Sequence, residues 1–422
     1  MSQQPIINNP LQISRVDLYR ILYTTKGVNN ESETVSGGIF VPNIAPNKIK
    51  GVILFFHPTF FSKTSTPSYS PKGAVDQALA ALFVTSGYIV VAPDYVGMGY
   101  NKKVFHPYIL YPQTNAQDGL SMLKAANSFL AANGFITSHS LPLFVTGYSE
   151  GAAYALWFSR LYQEQADFKR AVDSTSFNLK MIVPISGAYS LSGVMYNFLF
   201  SDIGVFTKSD FAVQNSIMTA RLKPALVAYT LTSYAYYTKN SNFNQVFNPD
   251  FFNMNCSLQY SYQCKFAGQQ LNLFQAFENE SDDYTIAMKI SNAAAHKLGN
   301  GKVFMDQWND ITPLINPNLP SDYKFRSTLL NGDVYAWKST LPTVLIYLRS
   351  DSVVSSYNSL KALQGMHANH STHLTAIAID NNLIQENLID FFPSFNVDHI
   401  TGFNYLFLVA LDQFNQAIRK QP

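Results

Sequence analysis

Ser149 stands at the centre of Gly147-Tyr148-Ser149-Glu150-Gly151, between the apolar run 141–146 and the stretch 152–161, rich in Ala, Leu and aromatic residues. The run reads as a buried strand and the following stretch as a helix. A serine at the apex of such a turn has a strained backbone and an exposed hydroxyl. The flanking glycines are needed because a Cβ at either place would collide as strand and helix pack. Serine is a weak nucleophile at neutral pH, so this chemistry needs a histidine base and a carboxylate to hold the imidazole.

The chain supplies both in the order Ser, Asp, His that nucleophile-elbow hydrolases use. Asp351 follows the β-branched apolar run 343–348, at the carboxyl end of a strand, the edge where open α/β sheets build their sites. His399 opens a helical pattern from 403 to about 418. Asp398 and Asp380 are rival acids, and Asp351 could instead cap the helix that follows it. His367, His370 and His373 form H-x-x-H-x-x-H, but no acidic ligand neighbours them. They read as a polar connection between helix and strand, so no metal site is expected.

Two upstream segments read as site-building loops. The buried run 51–56 ends in His57-Pro58-Thr59-Phe60-Phe61. One oxyanion donor is expected from this loop and the other from the residue after the nucleophile, Glu150. Pro58 has no N–H, so Thr59 or Phe60 is the donor expected from the loop. The run 88–93 turns at Asp94-Tyr95-Val96-Gly97-Met98-Gly99-Tyr100, whose glycines suit a sharp loop. His57, Tyr95 and Tyr148 are expected to contact substrate.

The elements that must position these residues alternate along the chain. Residues 14–25 and 34–41 suggest an antiparallel pair at a sheet edge. Strands are expected near 51–57, 88–93, 142–147, 180–186, 343–349 and 373–379, and helices near 73–86, 114–132, 151–165 and 355–366. This alternation predicts an α/β fold, a mostly parallel twisted sheet with helices on both faces. The stretch 191–338 breaks the pattern. It is helical and aromatic in character, with Tyr229, Tyr234, Tyr236, Tyr237, Phe243, Phe247, Phe251 and Phe252. The organisation expected is a core of 10–190 and 339–422 with a helical cap, 191–338, inserted over the nucleophile. Most of those aromatics read as the cap's own core, and as a set they suggest a hydrophobic substrate.

The segments GGIFVP (37–42), FFHPT (55–59), VVAPDYVGMGY (90–100), HPYIL (106–110), GYSEG (147–151) and PISGAYSLSG (184–193) resemble the α/β-hydrolase superfamily. They look like the secretory lipase and esterase group of fungal lipase A-type enzymes and their bacterial relatives. D-Y-x-G-x-G followed by H-P-Y is the most specific part. The resemblance runs from about Val16 to Phe414 and is weakest between about 195 and 338. It implies carboxylic-ester hydrolysis by Ser149, Asp351 and His399, without metal or organic cofactor, on a small-molecule or lipid ester. Two departures stand out: His57-Pro58 where relatives commonly have His-Gly, and the acidic Glu150 where many have a small or amide residue.

Composition agrees. In a chain of 422 residues, 47% hydrophobic and 13% charged side chains exclude a disordered protein, and the length leaves room for a core plus an insertion. A formal charge of +2 without a Lys/Arg cluster gives no reason to expect a nucleic-acid partner. No apolar run reaches the length of a membrane span, and membrane contact is expected only as a transient one through the cap. Residues 1–5 lack the charged head and apolar stretch of a secretion signal, while the resemblance leans toward a secreted or periplasmic protein. Cys256 and Cys264 read equally as a local disulfide or two thiols. Two other classes share parts of this pattern. One is a serine peptidase of prolyl-oligopeptidase type, whose N-terminal propeller has no room ahead of Gly51. The other is a non-catalytic hydrolase-fold binding protein, which would be expected to have lost a member of the triad.

Overall fold

The computed structural model of the chain describes residues 15–69, 75, 78–136, 140–197, 217–238, 245–247, 315–380 and 398–419, with parts of 263–290. Its first two strands, β1 (Val16–Lys26) and β2 (Ser32–Pro42), form the expected antiparallel hairpin, registered from Val16 opposite Pro42 to Lys26 opposite Ser32. β3 (Gly51–Phe56), β4 (Tyr88–Pro93), β5 (Leu141–Tyr148) and β6 (Phe177–Ile185) follow. A separate antiparallel pair, β7 (Gln263–Phe266) and β8 (Gln269–Asn272), lies between Ile185 and Thr343 along the chain. β9 (Thr343–Leu348) and β10 (Leu374–Ile379) complete the main sheet.

The main sheet has eight strands in the order β1-β2-β4-β3-β5-β6-β9-β10. From β4 to β10 every neighbouring pair is parallel, while β2 joins β4 antiparallel. β3, β4 and β9 are buried along their whole length, which is why they read as unbroken apolar runs. Their side chains still divide between the two faces. Val52, Leu54 and Phe56 enter one core cluster, and Ile53 and Phe55 another on the opposite side.

Helices cover both faces: α1 (Pro112–Ala132), α2 (Glu150–Glu164), α3 (Ala166–Asp173), α4 (Ile217–Tyr237), α5 (Tyr323–Asn331), α6 (Tyr357–Ala368) and α7 (Phe403–Arg419). α1 and α2 pack with the first cluster. α7 buries Leu406, Phe407, Ala410, Leu411 and Phe414 in the second, with Phe407 edge-on to Phe55 at 5.5 Å. α3 is a short helix beyond the elements expected from the sequence. Gln165 takes an extended conformation (φ −115°, ψ 111°) and breaks what would otherwise read as one helix. The helix expected near 73–86 falls partly outside the described residues, and its described end, Leu79–Val84, is a π-helical turn. Among the described residues no helix is long and apolar enough to cross a membrane.

One buried group in this core titrates unusually. Asp118 of α1 is fully buried beside the hydroxyls of Tyr23 and Thr25, with no charged partner among the described residues to offset its burial. Burial pushes its pKa up to about 8. In the unfolded chain an aspartate ionises near pH 4. Between about pH 4 and 8 the unfolded state therefore sheds a proton that the folded state keeps, and stability falls as pH rises. Asp118→Asn is expected to raise stability at pH 7 by a few kcal/mol (~1.4 kcal/mol per pH unit, by linkage) and to leave stability at pH 4 nearly unchanged. Denaturant unfolding of both proteins at the two pH values checks this. An unchanged slope between them would contradict it.

Candidate active site

Ser149 sits between the end of β5 and the first residue of α2, with φ 58° and ψ −118°. L-residues rarely adopt such a backbone; it costs about 1–3 kcal/mol and persists only where the surroundings impose it. Here the surroundings do. A Cβ on Gly147 would run into the backbone of Gly151, and one on Gly151 into the carbonyls of Phe56 and His57. β5, α2 and the end of β3 thus meet at backbone-to-backbone distance. The Ser149 N–H donates to the Ile185 carbonyl at 2.9 Å, tying the turn to β6.

His399 lies just ahead of α7, and its Nδ1 is 2.7 Å from Asp351 Oδ2. The other Asp351 oxygen accepts the N–H groups of Val353 (3.0 Å) and Val354 (2.7 Å), so the carboxylate closes its own turn and holds the imidazole at once. The rival Asp398 does something different. It accepts the His399 N–H at 2.6 Å, the Ser352 N–H at 3.2 Å and the Ser352 hydroxyl, pinning the histidine loop to the Asp351 loop. His399 Nε2 is buried and has no hydrogen-bond partner among the described residues. The link from this nitrogen to a serine hydroxyl is open in this structure, and such contacts commonly tighten only when substrate is bound.

Ser149 opens on a small cavity of about 40 Å³, lined by Thr59, Tyr108, Glu150, Met195, Val353 and Val354 among others. Leu226 and Thr230 of α4 and Leu329 of α5 form part of the same lining. Ligand sites usually run to about 300–1,000 Å³, so this one must widen to take a whole ester. Asp283, from the inserted stretch, accepts the N–H groups of Phe61 (2.6 Å) and Ser62 (2.7 Å) and so grips the loop after β3.

Of the donors expected for an oxyanion, Thr59 and Glu150 line the cavity. The N–H of Glu150 is in the first turn of α2, where helix donors have no carbonyl to bond. Phe60 does not line it; its ring stacks on His57 at 4.9 Å. The residues expected to touch substrate are placed otherwise. His57 is buried between Phe60 and Tyr95, with Nδ1 2.6 Å from the Pro58 carbonyl. Burial lowers its pKa to about 4, so it is neutral at pH 7. Tyr95 is buried, and its hydroxyl donates to the His57 carbonyl at 3.0 Å. Tyr148 stacks on the His399 ring at 4.9 Å, and its hydroxyl donates to the His399 carbonyl. None of the three lines the cavity, because each has its polar atom committed to the loops around the site.

The sequence reading also missed a buried network. His106 Nδ1 lies 2.9 Å from the Val96 carbonyl and Nε2 lies 2.8 Å from Glu150 Oε1, which also accepts the Tyr154 hydroxyl. The Tyr154 oxygen in turn accepts the Ile109 N–H at 3.0 Å. This network anchors the first residue of α2 to the loop 96–110. The H-P-Y motif at 106–108 marked the segment, but not its partner. The three spaced histidines lie elsewhere: His367 in the last turn of α6, and His370 and His373 at positive φ in the turn into β10. Of the aromatics in the inserted stretch, Tyr229 and Tyr234 pack into an apolar cluster with Phe61, Phe105 and Phe325, as core residues do. Phe243, Phe251, Phe252 and Cys256 lie outside the described residues.

No protein-family model matches the chain, and no curated protein is similar to it in sequence. Solved structures are similar in fold. The rice cell wall degrading esterase LipA of Xanthomonas oryzae superposes with a TM-score of 0.69 at 19% identity, covering 95% of this chain and 90% of that one. A candidate hydrolase of Legionella pneumophila gives 0.68 at 20% identity, covering 96% and 90%. Candida antarctica lipase A in its closed state gives 0.59 at 14%, covering 96% and 78%. With the strand order above, these likenesses establish the α/β-hydrolase fold over nearly the whole chain.

Removing the carboxyl of Glu150 strands His106 and Tyr154 without their acceptor in a buried setting. Glu150→Ala is expected to cost about 2–5 kcal/mol of folding stability, from two buried donors left unsatisfied at about 1–3 kcal/mol each. Chemical denaturation measures it, and a loss under ~1 kcal/mol would mean that the network is not a structural anchor.

Proposed function

We propose that this protein is a serine hydrolase that cleaves carboxylic esters through an acyl-enzyme on Ser149. The observation that carries this reading is the Asp351 carboxylate on His399 Nδ1, with the strained Ser149 opening on a mostly apolar cavity. In this reading His399 Nε2 takes the Ser149 proton as Oγ attacks the ester carbonyl, and Asp351 steadies the imidazolium. The Glu150 N–H and an N–H of Thr59 or Phe60 hold the developing oxyanion. His399 then protonates the leaving alcohol, and a water activated by the same imidazole releases the acid. The chain's own residues suffice for every step, without metal or cofactor.

The apolar lining favours an apolar acyl group, on a small-molecule or lipid ester. We read 191–338 as a cap over the nucleophile that excludes water from the acyl-enzyme, through which transient contact with a lipid interface would occur. The neighbours described as a cell wall degrading esterase and a lipase support the same reaction class, and with it an extracytoplasmic location, which cell fractionation tests.

Wild type is expected to hydrolyse p-nitrophenyl esters and to leave Gly-Pro-anilide untouched. Ser149→Ala and His399→Ala are expected to lower kcat by about 10⁴-fold or more, and Asp351→Asn by about 10³–10⁴-fold, with folding intact. Cleavage of the anilide in preference to every ester would assign the site to peptide substrates instead.

A further inference from the structure

The expected oxyanion loop is poor in backbone donors, since Pro58 has no N–H and the N–H groups of Phe61 and Ser62 are taken by Asp283. A pair of side-chain hydroxyls stands in the same cavity. Thr59 Oγ1 and Tyr108 Oη lie 3.2 Å apart, and both residues line the cavity with Ser149 and Glu150. Among the described residues neither hydroxyl has another partner. Two hydroxyls carry two hydrogens, and one bond between them uses only one. The other hydrogen has no acceptor among the described residues, in a cavity whose lining is mostly apolar.

We infer that the Thr59–Tyr108 hydroxyl pair is an additional oxyanion donor, aimed at charge that exists only once Ser149 has attacked. The inference rests on the ester-hydrolase reading above. As Oγ bonds to the carbonyl carbon, the C=O π pair moves onto oxygen. The spare hydroxyl hydrogen bonds to that oxyanion without being transferred, and returns when the carbonyl re-forms. Whichever hydroxyl donates, the other polarises it, so the two act as a unit. Burial, with the Glu150 carboxyl nearby, raises the Tyr108 pKa, so the phenol keeps its proton through the reaction. The main chain keeps the phenol in place. The Tyr108 N–H donates to Ser233 Oγ at 3.1 Å, and Ser233 donates to the His106 carbonyl at 3.0 Å.

The test compares Tyr108→Phe, Thr59→Val, the double variant and Thr59→Ser, using p-nitrophenyl butyrate and an alkyl trifluoromethyl ketone as a mimic of the tetrahedral intermediate. Whichever of Tyr108→Phe and Thr59→Val removes the donating hydroxyl is expected to lower kcat by about 100-fold, the usual effect of losing one oxyanion donor, and the other by a smaller factor, with KM within about threefold. The ketone should bind more weakly by a similar factor. The double variant should be no worse than about the larger single, and Thr59→Ser should keep most of the activity. Folded Tyr108→Phe and Thr59→Val proteins with wild-type kcat and ketone affinity would overturn the inference, as would a loss confined to KM. A wild type that hydrolyses no ester and takes no fluorophosphonate at Ser149 would instead overturn the reading beneath it.

Discussion

The approach of α2 to the ends of β3 and β5 is the constraint on which the site depends. With a hydrogen in place of a side chain at Gly147 and Gly151, the backbones of 147, 151 and 56–57 come within a distance that no Cβ would tolerate. The chain between strand and helix then has too little room for an ordinary turn, and Ser149 takes φ 58°. The strain is held by buried packing on both sides, Phe56 on the sheet and Tyr154 and Phe158 on α2, whose rings meet at 6.2–6.4 Å. The start of α2 is the positive end of a helix, a favourable position for a negative oxygen.

Around this fixed point the other loops are cross-braced. Asp398 joins the loop after β9 to the loop before α7, and Asp351 turns one oxygen to its own loop and the other to His399. Tyr148, beside the serine, stacks on the same imidazole and bonds to its carbonyl. His399 is therefore held through its ring nitrogen, its ring face, its N–H and its carbonyl, which limits the paths its Nε2 can take. On the other side the His106–Glu150–Tyr154 network and Asp283 hold the loops that line the cavity. The rigid groups are those that would have to meet developing charge, as preorganised electrostatic stabilisation requires.

Much of this was legible in the sequence, for a physical reason. Strands buried on both faces must be apolar throughout, so Gly51–Phe56, Tyr88–Pro93 and Thr343–Leu348 announce themselves. The glycines about Ser149 are legible because only glycine fits there. The direction of a side chain is not. Tyr95 and His57 in loops and Tyr148 at the end of β5 lie at the right edge of the sheet, yet each turns to a carbonyl, and nothing local distinguishes that from facing a substrate. Asp351 and Asp398 look equivalent along the chain, and only hydrogen-bond geometry separates the one on the His399 ring from the one on its backbone. Glu150 and His106 are 44 positions apart, a pairing made by the fold and carried by no local pattern. α3 escaped because a single extended residue, Gln165, interrupts an otherwise continuous helical pattern.

The cavity at Ser149 is small and lined in part by Leu226, Thr230 and Leu329, so a bulky ester would have to be admitted before any chemistry. A small reagent that reports the activated serine directly is therefore the most direct test of the central claim. Wild type, Ser149→Ala and Asp351→Asn would be treated with a fluorophosphonate, and the adduct located by peptide mass spectrometry. The account predicts a single adduct on Ser149, none in Ser149→Ala, and labelling slowed by orders of magnitude in Asp351→Asn. An adduct on another serine, or folded wild type that stays unlabelled, would contradict it.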